Sequence, residues 1–325
     1  MVHPMSLASN TIAVAVTTYN RATYLQGLLD SLIAMDPAPD FVVVVDNAST
    51  DHTPEVIARA AAEAPFPILS ERLAANIGGA GGFAAGIERA LAEGADWVWV
   101  MDDDVRVLPG ALSAFQPWMG RYGVLHGRRY DANGEPFFWQ HDFNSWTGVP
   151  LPVQGDIFRD ADIFHTNVAC FEGMFVSAGV IAENGLPDPR FFINGDDTMF
   201  GWKVSQRQPV ALINDFVIQK VRPQKQIDLG IRHLNDSSDL SRYYSMRNRG
   251  LVAQYLKAEG KFSRVGFALG TVLTFLKELA RLGLVEHKVH GVKALLRGWR
   301  DSRALIGQSL DDVQLGVPAR ESVSR

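Results

Sequence analysis

Residues 97–104 read WVWVMDDD, an apolar stretch that runs straight into three consecutive aspartates. Large apolar residues side by side, without polar alternation, mark a strand covered on both faces, as in a parallel sheet flanked by helices. Three carboxylates at the end of such a strand repel one another and gain nothing from packing. A hard divalent cation with oxygen ligands would remove that conflict.

Working outward from this strand, the chain alternates. TIAVAVTTYN (11–20) reads as a buried strand, ATYLQGLLDSLIAM (22–35) as an amphipathic helix and FVVVVDNAST (41–50) as a second strand with a polar end. TPEVIARAAAEA (53–64) reads as a second helix and PILSE (67–71) as a short strand, while GGFAAGIERALAEG (81–94) is a helix that leads into ADWVWVMDD (95–103). Strand, helix, strand, helix predicts an α/β fold, Rossmann-like, whose mostly parallel sheet is flanked by helices. Ligands of such sheets bind beyond the carboxyl ends of the strands. TTYNR (17–21), DNASTD (46–51), NIGGAGG (76–82) and DDD (102–104) all fall at or near that edge.

Composition narrows the function. The chain has 325 residues, 47% of them hydrophobic, and a formal net charge of −5, which argues against a nucleic-acid binder of whole-chain basicity. A single cysteine, Cys170, excludes an internal disulfide or a cysteine-rich zinc site. MVHPMSLASN lacks the features of a signal peptide, and the longest strongly apolar run, Val265 to Leu276, is shorter than the roughly 20 residues of a spanning helix. A cytoplasmic protein that can touch a membrane is expected.

The candidate site residues follow from the polar rim. Asp104 is the expected main metal ligand, with Asp102 and Asp103 towards metal or ribose. Asp46 and Asn47 end the second strand, where a carboxylate and an amide could read a nucleobase or ribose, or simply form an Asx turn. NIGGAGG lets backbone approach a ligand closely and opens a helix whose N-terminus favours phosphate. Gly79 to Ala84 also fit G-x-G-x-x-A, a dinucleotide fingerprint, although two strong strands precede it. Asp196 and Asp197 head a predicted helix within LPDPRFFINGDDTMFGWKVSQR (186–207), either as ordinary first-turn acids or as a general base for an acceptor hydroxyl. Between about residues 120 and 164 the pattern loosens and carries aromatics, which reads as a loop-rich insertion or a β-hairpin region. After Asp239 it is mostly helical.

Together TTYNR, VVDNAST (44–50), NIGGAGGF (76–83), DDD and GDDTMFGWK (195–203) resemble the inverting glycosyltransferases of the GT-A fold, family 2, over about residues 11–250. The glycine-rich helix, the strand ending in DDD and RYYSMRNRG (242–250) look most like the galactofuranosyltransferases that begin cell-wall galactan. The resemblance implies a UDP-sugar donor, Mn²⁺ or Mg²⁺, inversion by direct displacement, and a saccharide acceptor on polyprenyl diphosphate. It implies that Thr18, Asp46 and Asn76 hold the nucleotide, with Tyr19, Arg21, Asn47, Gly79, Asp102 and Asp103 beside them. Asp102 and Asp104 would hold the metal and diphosphate, Asp197 would be the base beside Asp196, and Trp202, Arg247 and Asn248 would serve the acceptor or a diphosphate. One departure matters: the family's histidine metal ligand falls near Gln219 in FVIQK, so Gln219 or His233 of GIRHLND would supply the third ligand.

The expected organisation is a transferase domain over 1–250, with a nucleotide-sugar half (11–110) and an acceptor half (111–250). A helical segment over 251–310 and a flexible tail over 311–325 follow. Residues 261–300 hold eight Lys or Arg against two Glu, a balance of +6 in a negative chain, interleaved with Phe and Leu. That composition predicts an amphipathic helix drawn to an anionic membrane surface, or helices that pack on the core or an oligomer partner. The competing functions are a dTDP-rhamnose-dependent rhamnosyltransferase, a nicotinamide-dependent oxidoreductase and a non-catalytic nucleotide binder.

Overall fold

A computed structural model describes residues 10–153, 155, 157–159, 161–222, 227–228, 233–234, 238–287 and 290–310. The tail expected to be flexible lies outside the described residues. Ile12–Thr18 forms β1 and Phe41–Asp46 forms β2, both buried along their whole length. Between them α1 (Ala22–Ile33) buries Leu25, Leu28, Leu29 and Leu32, the spacing of one helical face. Helix α2 (Thr53–Glu63) carries Pro54 in its first turn, where the missing N–H has no intrahelical partner to lose. Next come β3 (Ile68–Arg72), α3 (Gly78–Ala92) and β4 (Trp97–Asp102).

The second half follows as β5 (Val105–Val107), α4 (Ala111–Phe115), β6 (Val124–Tyr130), β7 (Pro136–Phe137), β8 (His141–Asn144), β9 (Val149–Pro152), β10 (Ile163–Thr166) and β11 (Met174–Ser177). Then α5 (Ala178–Asn184), α6 (Asp196–Ser205), β12 (Val210–Lys220) and the two-residue strands β13 (Ile227–Asp228) and β14 (His233–Leu234) lead into the helices. These are α7 (Asp239–Arg247), α8 (Arg249–Ala258), α9 (Arg264–Ala280), a π-helical turn at Arg281–Glu286, and α10 (Gly291–Ile306).

The main sheet runs β10-β12-β6-β11-β4-β1-β2-β3. Strands β3, β2, β1 and β4 are parallel, as the alternation of strand and helix requires. From β11 onward the sheet is mixed, because β11 enters antiparallel between β4 and β6. The strand order reverses at the β1/β4 pair, with Thr17 opposite Asp102, so the crevice opens beside the aspartates. The aromatic-rich region is neither wholly loop nor wholly hairpin: β6 joins the main sheet, and only β8 and β9 pair apart from it.

Two close approaches bring the polar segments together. The glycine run lies inside α3, where a Cβ on Gly82 would fall 2.3 Å from Thr17 Cγ2 and one on Gly86 3.3 Å from Ala15 and Val45. The glycines thus let the helix lie directly on β1 and β2. Helix α6 does the same at Gly201, whose Cβ would fall 1.9 Å from the Ala169 backbone nitrogen. Gly201→Ala should therefore destabilise the protein by about 2 kcal/mol or more in urea unfolding. Gly179→Ala, in α5 with only Ser177 Oγ at 3.9 Å, should be neutral or mildly stabilising.

Candidate active site

The end of β4 divides the three aspartates by direction. Asp103 turns into the protein, accepting a hydrogen bond from Thr18 Oγ1 at 2.7 Å and one from Arg21 Nη1 at 3.0 Å. Arg21 also pairs with Asp104 at 3.2 Å, so the TTYNR loop is tied to the aspartates by two residues. Tyr19 between them is exposed. Asp102 and Asp104 instead form a cluster with Glu172, one oxygen of each carboxylate lying within 4.8 Å of the others. Glu172 gets there by a turn. The ladder of β11 on β4 ends where Met174 pairs with Val100; Gly173, at φ 102°, still donates its amide to the Val100 carbonyl at 2.9 Å, and Glu172 precedes it beside the end of β4.

Glu172 is held by two buried cations: Arg129 on β6 donates to one of its oxygens and Lys220, the last residue of β12, to the other. No side-chain hydrogen bond or ion pair reaches the Asp102 carboxylate among the described residues. Burial, and then the neighbouring charges of Asp104, Glu172 and Asp103, pushes Asp102 well above the ordinary carboxylate range. An all-carboxylate set with excess negative charge fits a hard divalent cation such as Mg²⁺ or Mn²⁺. Of the residues expected to complete it, Gln219 does not face the cluster: its amide donates to the Asp131 carbonyl at 3.4 Å, and strand alternation turns Lys220 inward instead. The side chain of His233 lies outside the described residues.

On the β2 side, the expected nucleotide contacts are engaged within the protein. Asp46 accepts from the Ser49 amide at 2.8 Å and pairs with Arg72, which closes the turn after β2. Asn47 accepts from the Ile77 amide and donates to the Gly78 carbonyl, both at 2.9 Å, and Asn76 accepts from the Gly78 amide at 2.9 Å. The Ala80 amide donates to the Phe192 carbonyl at 3.1 Å. The amides of Ile77, Gly78 and Ala80 thus have protein acceptors, Ala80 tying α3 to the loop before α6, while Gly79 lines the cavity that Asp102 and Asp197 also line. Gly78, at φ 80°, could not be replaced there, since a Cβ would lie 2.1 Å from the Phe192 oxygen.

That loop carries the second acidic pair. Phe192 and Asn194 hold φ of 62° and 70°, conformations that cost a residue with a Cβ about 1–2 kcal/mol each. Asn248 holds them: its amide nitrogen lies 2.9 Å from the carbonyl oxygens of Phe191 and Ile193 and 3.0 Å from that of Asn194. Arg247 donates to the Asn248 side chain at 2.9 Å and to the Arg190 carbonyl. Both residues expected at the acceptor or diphosphate therefore brace the loop. Trp202, expected at the acceptor, is a core residue packed against Phe143.

Asp196 and Asp197 occupy the first turn of α6, where the helix dipole favours negative charge. Burial, then the adjacent Asp197, pushes the Asp196 carboxyl up to about 8. Burial raises Asp197 as well, opposed by the Thr198 amide and hydroxyl and by Arg129. Both carboxyls of the pair are thus raised by burial, and Asp197 alone of the two is also opposed by the Thr198 hydroxyl and Arg129. Asp102, Glu172, Asp196, Asp197, Gly79 and Lys277 line one cavity of about 620 Å³. An adjoining cavity of about 170 Å³ shares Asn194, Gly195, Ser245 and Lys277 with it.

Sequence reasoning missed Glu172, Arg129 and Lys220. The available signal was charge inside apolar segments, in ACFEGMF (169–175), VLHGRRY (124–130) and VALINDFVIQK (210–220), since such charges are seldom buried unless paired.

Residues 13–178, half of the chain, match the family described as glycosyl transferase family 2. Galactofuranosyltransferase GlfT1 of Mycobacterium tuberculosis is 31% identical over 208 residues, covering 58% of this chain and 62% of that protein. The match thus spans less than two thirds of the relative's length. Among solved structures, S. aureus TarS aligns with a TM-score of 0.56 at 15% identity, covering 91% of this chain and 81% of that one. The mannosyltransferase PcManGT from Pyrobaculum calidifontis, in complex with GDP-Man and Mn²⁺, aligns with a TM-score of 0.51 at 16% identity, covering 95% and 79%. These likenesses establish the GT-A fold.

The protonation of Asp196 has a measurable consequence. Its proton is retained in the folded chain up to a pH of about 8 but released in the unfolded chain near pH ~4, so stability falls as pH rises across that window. Asp196→Asn has no proton to lose. Its thermal midpoint should exceed that of the wild type by roughly 3 °C or more above pH ~8, and the gap should close below pH ~4.

Proposed function

The chain belongs to glycosyl transferase family 2, and from that membership we propose that it transfers galactofuranose from UDP-galactofuranose, with inversion, to a rhamnosyl-N-acetylglucosamine carried on polyprenyl diphosphate. The work would be done at the cytoplasmic face of the membrane, in the synthesis of cell-wall galactan. The likeness to galactofuranosyltransferase GlfT1 supports the choice of donor and acceptor. The chemistry rests on one observation: a single cavity is lined both by two members of the carboxylate cluster, Asp102 and Glu172, and by the Asp196–Asp197 pair. An inverting displacement needs a leaving-group site and a base facing one space.

Asp102 and Asp104 would hold a divalent cation, with Glu172 as the third carboxylate. Bound there, the cation supplies charge that offsets the diphosphate as it leaves. Asp197 accepts the proton of the acceptor hydroxyl while that oxygen bonds to the anomeric carbon, and the bond to UDP breaks with its electron pair remaining on the diphosphate. Asp196 stays protonated beside it, which keeps a second negative charge away from the base. Arg129 and Lys220 fix Glu172 in the cluster, and Asn248 fixes the loop that leads to the base.

Thermal midpoints with UDP, dTDP and NAD, each with and without Mn²⁺, test the reading, because a ligand of the folded state raises the midpoint by mass action. A rise with UDP that requires Mn²⁺ is expected and should vanish in Asp104→Ala. A preference for dTDP would move the donor to rhamnose, and a metal-independent rise with NAD alone would overturn the reading. Asp197→Asn should keep UDP binding yet lower kcat by about 10²–10⁴-fold. Because burial raises Asp197, the acidic limb of the wild-type pH profile should lie above the pH ~4 of a free aspartate.

A further inference from the structure

Helix α9 buries Gly266, Phe267, Gly270, Thr271 and Glu278 on one side. Its other side is apolar and open: Val265, Leu269, Val272, Leu273 and Leu276 are between 41% and 74% exposed. Their spacing places them in one stripe about 100° wide and about 17 Å long. Scattered apolar residues on a surface need no explanation, but a contiguous stripe does. Trp146 stands at its start, half exposed, since a Cβ on Gly266 would meet the Trp146 ring at 2.5 Å.

The surroundings of the stripe are basic. Lys261 and Arg264 lie at its beginning and Lys277 at its end, within a segment of eight Lys or Arg against two Glu. On one flank, a groove of about 500 Å³ between α9 and α10 is lined by Lys257, Arg264 and Arg303 together with Phe262, Val272 and Trp299. On the other flank, Lys277 lines both the catalytic cavity and the smaller one beside it. The described helices include none long and apolar enough to cross a membrane.

We propose that α9, together with Trp146, is the face by which the protein lies on an anionic lipid bilayer. The leucines enter the boundary between head groups and acyl chains, Trp146 sits in the interfacial layer, and Lys261 and Arg264 meet lipid phosphates. A second copy of this chain is a poorer occupant, because a two-fold interface would set the basic rim against itself. Docked this way, the cavity mouth at Lys277 stands at head-group level, where the phosphates of a lipid-linked saccharide lie. The benefit to catalysis rests on the proposed acceptor; the docking face does not.

The test is co-sedimentation of the full chain with vesicles of phosphatidylcholine alone or with about one third phosphatidylglycerol. Binding to the anionic vesicles is expected, at least tenfold weaker to the neutral ones. Leu269→Gln/Leu273→Gln/Leu276→Gln should lose at least tenfold in vesicle binding, with its thermal midpoint and its transfer to a lipid-free saccharide acceptor unchanged. Absence of vesicle binding by the wild type, or equal binding by the triple variant, overturns the proposal. So does a wild-type dimer that the variant abolishes without any vesicle binding, which assigns the face to a second copy. Vesicle binding by a protein that transfers no galactofuranose would uphold the docking face and sink the proposed donor.

Discussion

Carboxylates gathered in one buried space repel one another unless positive charge or protons offset them. Here Asp102, Asp104 and Glu172 converge within 4.8 Å, and Asp196 and Asp197 face the same cavity as Asp102 and Glu172. Each group meets the constraint differently. Glu172 is clasped by Arg129 and Lys220, Asp103 and Asp104 share Arg21, and Asp196 keeps its proton. Asp102, raised by burial and by its acidic neighbours, has no side-chain partner among the described residues, and there a cation and a departing diphosphate would do opposite and complementary work.

The scaffold exists to hold those charges at fixed places. Strands β1 and β4 deliver Thr18 and the aspartates side by side, and the turn at Gly173 that leads into β11 delivers Glu172. Helix α6 reaches the same cavity only because Gly201 lets it lie on the backbone at Ala169. The loop between α5 and α6 would relax from its left-handed conformations without the three carbonyl contacts of Asn248. Arg247 of α7 and Asn248 at its junction with α8 therefore act on the Asp196–Asp197 pair through its loop, whereas α9 meets the cavity directly with Lys277 and Glu278.

The first half of this fold was legible because parallel strands buried on both faces read as unbroken apolar runs, and their helices carry a 3.6-residue period. The mixed second half was less so. Its strands are short and depend on partners distant in sequence, so nothing local announces that β11 inserts between β4 and β6. The site shows the same division. DDD and GDDTMFGWK were visible as charges out of place, but Glu172 joins them through the turn before β11, whose place beside β4 only the folded sheet defines. Arg247 and Asn248 stood out as polar residues in a helix, although their work is to brace a loop 50 or so residues upstream, at separations of 54 to 57. In the glycine-rich helix Gly79 lines the cavity, while Gly82 and Gly86 approach β1 and β2. Glycine permits close contact without saying with what.

The most direct measurement is the anomeric configuration of the first product, by NMR, after incubation with UDP-galactofuranose and a synthetic acceptor bearing the rhamnosyl-N-acetylglucosamine disaccharide. A single base across one cavity from the leaving group predicts transfer with an inverted anomeric centre. A product that retains the donor's configuration would contradict the account, because it would require a covalent or front-face step for which this cavity has been given no role.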